Sequence, residues 1–292
     1  MDALADHLMA TANGDITRLL INVPPGTSKS TGTGVFFPAW LWGPFGWPGA
    51  RFIGASYEQG LATRDNRKTR LLIDSEWYQD RWPIELTSDQ NEKTGFENIK
   101  QGFRQSCAVK SMTGKRGDFV LWDDPLSPEK ANSETERDTA LRVFNETLPS
   151  RLNDPENSVI IIIMQRLHEK DPSGHILANE FGYVHLCLPM EFEIERKCKT
   201  LIGFEDPRAE EGELLFPERF PRSVVERDNC FTGCRFNWIG NSNEASKLTI
   251  NGHIHGSFSL HAQCISLLIS CLVISTNCFH HGCVAQRYFA LS

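Results

Sequence analysis

The chain has 292 residues, 30 Lys and Arg against 37 Asp and Glu, a net charge of −7 and 40% hydrophobic residues. This composition excludes disorder as the main state and fits a soluble globular protein of one or two domains. The acidic balance gives no global attraction to phosphate backbones, so binding of a nucleic acid needs a local basic patch or partner subunits.

The N-terminal stretch carries Asp2 and Asp6 and lacks a basic region followed by an apolar run, so a reducing cytoplasm is expected rather than secretion. The first strand is predicted over Leu19 to Val23, followed by Val23-Pro24-Pro25-Gly26-Thr27-Ser28-Lys29-Ser30, Thr31 and an apolar segment with Val35, Phe36 and Phe37. A phosphate-binding loop belongs at this position, where backbone N–H groups cradle phosphates, a lysine reaches the β and γ groups and a hydroxyl meets Mg²⁺. The usual spacing, G-x-x-x-x-G-K-[ST], is departed from twice, with Val23 at the first glycine and Ser28 at the second. A Pro-Gly turn with a solvated lysine is the competing reading.

A second strand is predicted over Arg51 to Tyr57 and a third over Phe119 to Trp122, the latter running into Asp123-Asp124-Pro125. An apolar strand that ends in two carboxylates suits a Mg²⁺ nucleotide, one holding the metal and the other orienting the attacking water. An Asp-Asp-Pro turn is the alternative. Ser133 with Glu136 fits a capping box opening a helix through Leu141, Phe144 and Leu148. Val159 to Met164 is apolar throughout, as a strand buried on both faces of a parallel sheet requires. At its end lies the polar cluster Gln165-Arg166-Leu167-His168-Glu169-Lys170-Asp171, placed to sense a γ-phosphate and relay its loss. A last strand is predicted over Tyr183 to Leu188, and the alternation of strand and helix predicts a three-layer α/β domain with its ligand at the strands' carboxyl ends.

The composition changes near residue 229. Beyond it stand three bases, Arg235, Lys247 and Arg287, one acid, Glu244, and six of the nine cysteines. Cys230, Cys234, His253, His255, Cys278, His280, His281 and Cys283 could be assembled into a zinc site, but their spacing is irregular. Cys264 to Phe279 is apolar but shorter than the ~20 residues of a membrane helix. A poorly structured appendage over 229–292, following a domain over 1–228, is the expectation, and no membrane association is expected.

Taken in order, the ordered words of residues 1–228 resemble the large subunit of tailed-phage terminases, the ATP-driven motor of DNA packaging. The likeness is carried by Ile21-Asn22-Val23-Pro24-Pro25, Ser56-Tyr57, Asp74-Ser75-Glu76-Trp77-Tyr78-Gln79 and Asp89-Gln90-Asn91. It continues through Thr113-Gly114-Lys115-Arg116-Gly117-Asp118, Asp123-Asp124-Pro125, Ser150-Arg151-Leu152, Met164-Gln165-Arg166-Leu167-His168-Glu169, Asp171, Ser173-Gly174 and Leu215-Phe216-Pro217-Glu218-Arg219-Phe220.

The resemblance implies a P-loop NTPase with a mainly parallel sheet flanked by helices, ATP and Mg²⁺ as cofactors, and ATP hydrolysis that drives double-stranded DNA into proheads. It implies Gly26, Thr27, Ser28, Lys29, Ser30 and Thr31 as the Walker A loop. Ser30 and the Walker B residue Asp123 would hold the metal, Asp124 and Arg166 would be catalytic, Gln165 would contact the nucleotide, and the Gln165-Arg166 segment would couple hydrolysis to DNA movement. The implied partners are the terminase small subunit, the portal protein and further copies in a ring, in the cytoplasm of a bacterial host. The family's C-terminal nuclease needs clustered carboxylates that residues 229–292 lack, so no metal-dependent DNA cleavage is expected, and a frame-shifted coding region of a degraded prophage is one account of the break. An inactive, ATPase-shaped remnant that binds DNA or terminase partners without turnover is the alternative. A helicase-like P-loop enzyme would share Lys29 and Asp123 but leave the Trp77-Tyr78-Gln79 and Gln165-Arg166-Leu167-His168 words without a reason.

Overall fold

The computed structural model describes residues 1–228. The zinc candidates, the apolar stretch and the expected lack of structure in the tail all lie outside the described residues. The strands are β1 (Arg18–Asn22), β2 (Phe52–Ser56), β3 (Leu86–Asn91), β4 (Gly95–Asn98), β5 (Phe103–Ala108), β6 (Phe119–Asp123), β7 (Val159–Met164) and β8 (Val184–Cys187). The α-helices are α1 (Asp2–Ala12), α2 (Lys29–Thr31), α3 (Phe37–Trp42), α4 (Gln59–Ile73), α5 (Glu76–Gln79), α6 (Glu134–Arg142), α7 (Pro172–Ala178) and α8 (Arg222–Asp228).

The strands form one sheet in the order β3-β4-β5-β2-β6-β7-β1-β8. From β5 to β8 every pair is parallel, whereas β3 and β4 add an antiparallel edge. Period-two alternation divides the central strands between two cores. Leu19, Ile21, Phe119, Leu121, Ile161 and Ile163 pack under α1 and α3, against Leu4, Leu8, Phe37 and Trp40. Leu20, Val120, Trp122, Ile160, Ile162 and Met164 face the other way, onto Phe144, Leu148 and Ile176. All six residues of β7 are buried, as an apolar run covered on both faces must be.

The five strands expected from hydrophobic runs are present, each shifted by no more than one residue at either end. The segment β3 to β5 is an addition that the pattern did not show. In β5 the buried face carries Arg104 and Ser106, so polarity points inward and the usual hydrophobic signal is inverted. Ser133 is the N-cap of α6, as expected, but the capping box is a correction: the Ser133 side chain makes no cap bond. Glu136 lies instead against Lys130 at 3.4 Å and Lys110 at 3.9 Å, where opposite charge competes with the backbone N–H groups for its carboxylate. The helix continues through a π-turn at Val143–Thr147 and a 3-10 turn at Leu148–Arg151, which carries Phe144 and Leu148 into the core. Among the described residues no helix is long and apolar enough to cross a membrane.

Candidate nucleotide site

Strand register sets the site. Asn22 lies beside Met164, Asp123 beside Ile163, and Ser56 beside Asp123, so β1, β7, β6 and β2 end at one level. The loop after β1 and the carboxylates after β6, about 90 residues apart in the chain, therefore open onto one edge of the sheet.

The loop is a tight turn held from within. Gly26 has φ +76° and Ser28 φ +61°, so two residues of the loop occupy the left-handed region. Glycine does this at no steric cost, while Ser28 carries a Cβ there and is strained. Thr27 Oγ1 donates to the Pro24 carbonyl at 2.7 Å, and the Gly32 N–H donates to the Ser28 carbonyl at 2.9 Å, starting the helical run. That run passes from α2 through a π-turn at Gly32–Phe36 into α3. The ring of Phe220 covers Gly26: a Cβ there would come within 2.7 Å of its Cζ.

Lys29 is not the solvated lysine of a surface turn. It is 6% exposed, its Nζ donates to the Val23 carbonyl at 3.2 Å, and Asp124 Oδ1 stands 3.7 Å away. The neighbouring Ser30 Oγ donates to Asp123 Oδ1 at 3.0 Å. The Lys-Ser pair and the Asp-Asp pair thus meet residue by residue across β7.

Asp123 is held well above the ordinary carboxyl range, at about 7, by burial first and then by the charge of Asp124, with the Ser30 hydroxyl and Lys29 pulling it down. A buried carboxyl that resists ionisation alone is a ready partner for a cation. Asp124 leaves the extended conformation, with φ +43°, its N–H donating to the Ile163 carbonyl at 2.7 Å and its carbonyl accepting from the Tyr57 N–H at 3.1 Å. These bonds fix the carboxylate beyond the strand end, where its side chain is 31% exposed and open to water.

The segment after β7 folds around Asp171, which is fully buried and caps α7 through the Gly174 N–H at 2.7 Å. The same carboxylate accepts from the N–H groups of Leu167 and His168, at 2.9 and 3.2 Å, and pairs with Arg166 at 3.3 Å. Arg166 also lines a cavity of about 630 Å³ with His185, Cys187, Arg196, Lys197 and Lys199, beside the edge strand β8. Its guanidinium is therefore committed to the turn, while Gln165 is half-buried at the end of β7 between the loop and the carboxylates.

Sequence reasoning assigned no role to Asn22, although the residue organises this edge. Fully buried, it donates from Nδ2 to the Met164 carbonyl at 3.0 Å, and its Oδ1 accepts from Ser173 Oγ at 2.6 Å and His185 Nε2 at 2.8 Å. Its Oδ1 can only accept, so His185 carries a proton on Nε2, and a pKa lowered to about 3 by burial and then by Arg166 keeps the ring neutral. Arg64 on α4 was also missed. Its guanidinium bonds Asp65 at 2.9 Å and feels the charges of Asp123 and Asp124, and the Asp65 bond chiefly raises its pKa. Asn22 stood within a word of the resemblance but with no role of its own, and Arg64 belongs to no recognisable spacing; a lone Asn in an apolar strand and an Arg on a polar helix do not announce their partners.

The resemblance words divide between site and scaffold. Tyr78 buries its ring and donates to the Ala39 carbonyl at 2.7 Å, and the Gln79 amide bridges the Ile73 and Ile84 carbonyls at 2.7 and 2.9 Å. Asp118 accepts from the Arg51 N–H at 2.9 Å and the Asn153 amide at 2.8 Å. These words hold elements together and touch no nucleotide chemistry.

No family model matches the sequence, and no curated protein matches it. Among solved structures, two bacteriophage large terminases align with part of the chain. The HK97 bacteriophage large terminase aligns with a TM-score of 0.41 and 11% identity, over 67% of this chain and 40% of that one. The large terminase of the thermophilic bacteriophage D6E, solved in complex with ADP, aligns with a TM-score of 0.36 and 11% identity, over 62% of this chain and 44% of that one. The chain spans less than half the length of either structure.

Proposed function

We propose that residues 1–228 bind Mg-ATP between the loop after β1 and the carboxylates after β6 and hydrolyse it. The observation that carries this reading is the paired contact of Ser30 with Asp123, at 3.0 Å, and of Lys29 with Asp124, at 3.7 Å. Hydroxyl and carboxylate oxygens are the hard donors that Mg²⁺ takes, with the rest of its shell left to phosphates and water. Ser30 and Asp123 would hold the ion, which when bound supplies charge neutralisation to the phosphate oxygens.

The loop from Gly26 to Thr31 presents backbone N–H groups to phosphates, and Lys29 adds a buried cation that leaves Asp124 for a more highly charged partner. Asp124, released from that ion pair, orients the attacking water and accepts its proton. Beside the loop, an apolar cavity of about 140 Å³ lined by Val23, Thr27, Leu186, Leu188, Leu215 and Phe216 offers a place for the base. Gln165, half-buried at the end of β7, would meet the γ-phosphate, and the clasp of Arg166 on Asp171 would pass its loss to α7.

We assign the work of this cycle, on the sequence resemblance, to moving double-stranded DNA as the motor of a packaging terminase, in a ring with a small subunit and a portal protein, in the cytoplasm of a bacterial host. The second reading, an ATPase-shaped remnant without turnover, draws support from the left-handed Ser28 in the cradle. Calorimetry with Mg-ATP on the full chain and on Lys29→Ala tests binding: equal affinity of the two proteins overturns the assignment. Steady-state hydrolysis, with and without double-stranded DNA, separates motor from remnant.

A further inference from the structure

Arg104 is the least expected buried residue of the molecule. It is 2% exposed, yet among the described residues its Nε and Nη1 have no hydrogen-bond partner, and only Nη2 is used, donating to the Gly34 carbonyl. An arginine presents five donors and is never neutral in a protein, so such burial with donors unmatched is strongly unfavourable. Two glycines lie at van der Waals distance from this cluster. A Cβ on Gly54 of β2 would stand 3.5 Å from Nη1 and Nη2, and one on Gly34 would stand 3.7 Å from Asp65 Oδ2 and 4.0 Å from Arg104 Nη2.

The guanidinium lies on a small cavity of about 20 Å³, whose polar wall is Arg104, Ser56, Asp65, Asp123 and Thr33, the Thr33 hydroxyl being used on the Lys29 carbonyl. Ser56 is 1% exposed and, among the described residues, its Oγ is likewise without a partner. The cavity thus borders the Asp123 carboxylate, which also accepts from Ser30 Oγ at 3.0 Å. Its volume is that of about one water, too small for a phosphate or an organic ligand, and a buried water needs two to four polar partners.

We propose that this cavity binds a single structural water, and that through it Arg104 is a positioning residue for Asp123. The water accepts from an Arg104 N–H and from the Ser56 hydroxyl and donates to the carboxylates of Asp123 and Asp65, so that all four of its bonds are made. Asp123 is then held by both Ser30 and the water, which fixes the carboxylate that would take the cation. Supporting shells of this kind orient metal carboxylates, and their loss costs about 10- to 100-fold in metal affinity or activity. The role given to Asp123 rests on the proposed Mg-ATP reading.

Two measurements on the full chain test the proposal. A crystal structure at high resolution shows density for an atom within hydrogen-bonding distance of Arg104, Ser56 and Asp123; a dry cavity overturns it. The Mg²⁺ requirement is then titrated for the wild type, Ser56→Ala, Arg104→Lys and Arg104→Met, with ADP binding in the absence of Mg²⁺ as the reference. Ser56→Ala, which deletes one hydroxyl and keeps the backbone, should raise the Mg²⁺ concentration for half-maximal binding of Mg-ADP about threefold to tenfold at unchanged metal-free affinity. Arg104→Lys should recover part of the loss seen in Arg104→Met. An unchanged Mg²⁺ requirement in Ser56→Ala, in a protein whose nucleotide binding depends on Lys29, overturns this inference alone; nucleotide binding indifferent to Lys29 overturns the functional reading instead.

Discussion

Ser28 is the loop residue whose replacement the structure makes most informative. From the sequence, a serine in place of the family's glycine is expected to weaken the phosphate cradle by roughly 1 kcal/mol, close to tenfold in nucleotide affinity, if the position needs a positive φ. The position does: φ is +61° and ψ +17°. The strain, however, is part of the fold, since the same conformation starts the helical run through the Gly32 N–H. Ser28→Gly therefore acts first on stability. Relief of a left-handed Cβ is worth about 1–2 kcal/mol, and the greater freedom of glycine in the unfolded chain takes back about 0.4–1 kcal/mol. The balance, near 0.8 kcal/mol, corresponds to a rise of about 2–3 °C in Tm for a domain of this size. Thermal unfolding of wild type, Ser28→Gly and Ser28→Ala, each with and without Mg-ATP, measures both effects. Ser28→Ala keeps the Cβ and should gain nothing. A lower Tm for Ser28→Gly would refute the strain argument. A gain in ATP affinity beyond the gain in stability would show that the serine side chain also stands between backbone and phosphate.

Three further outcomes follow from the same edge of the sheet. Asn22→Ala removes a partner of the Met164 carbonyl, the Ser173 hydroxyl and the His185 ring, and should cost about 3 kcal/mol in urea unfolding, since losing a partner costs each buried group about 1–3 kcal/mol; a loss below about 1 kcal/mol would mean that water replaces it freely. His185 has a folded pKa near 3, below its unfolded value, so the folded state binds fewer protons and stability falls as pH drops through 6.5 toward 3. At about 1.4 kcal/mol per unit, the loss between pH 6.5 and 5 is about 2 kcal/mol, and His185→Gln, which keeps a donor for Asn22, should flatten that limb; identical acid limbs would contradict it. Asp123 is raised to about 7, so its ionisation costs the apo fold stability as pH rises from 4 through 7, and cation binding must displace a proton below 7. Calorimetry should show Mg-nucleotide binding strengthening from pH 6 to 8 with proton release at pH 6, and a pH-independent affinity would refute this.

The hydrophobic runs determined the central sheet, because burial on both faces of a parallel strand leaves nothing polar to write; Val159 to Met164 could hardly be anything else. The residue types after β1 and β6 made Lys29, Ser30, Asp123 and Asp124 legible as candidates, since few chemistries place a Lys-Ser and an Asp-Asp at strand ends. What no spacing contained was their meeting. Register alone brings Ser30 to Asp123 and Lys29 to Asp124 across an intervening strand, and so decides against a solvated lysine. Register also gives Asn22 its three partners from β7, α7 and β8, and turns Arg104 inward to the cavity that Asp123 borders. Such residues look unremarkable in sequence because their partners are far along the chain. A polar side chain acquires its role from the groups that burial forces upon it, and these are fixed only when the sheet is assembled.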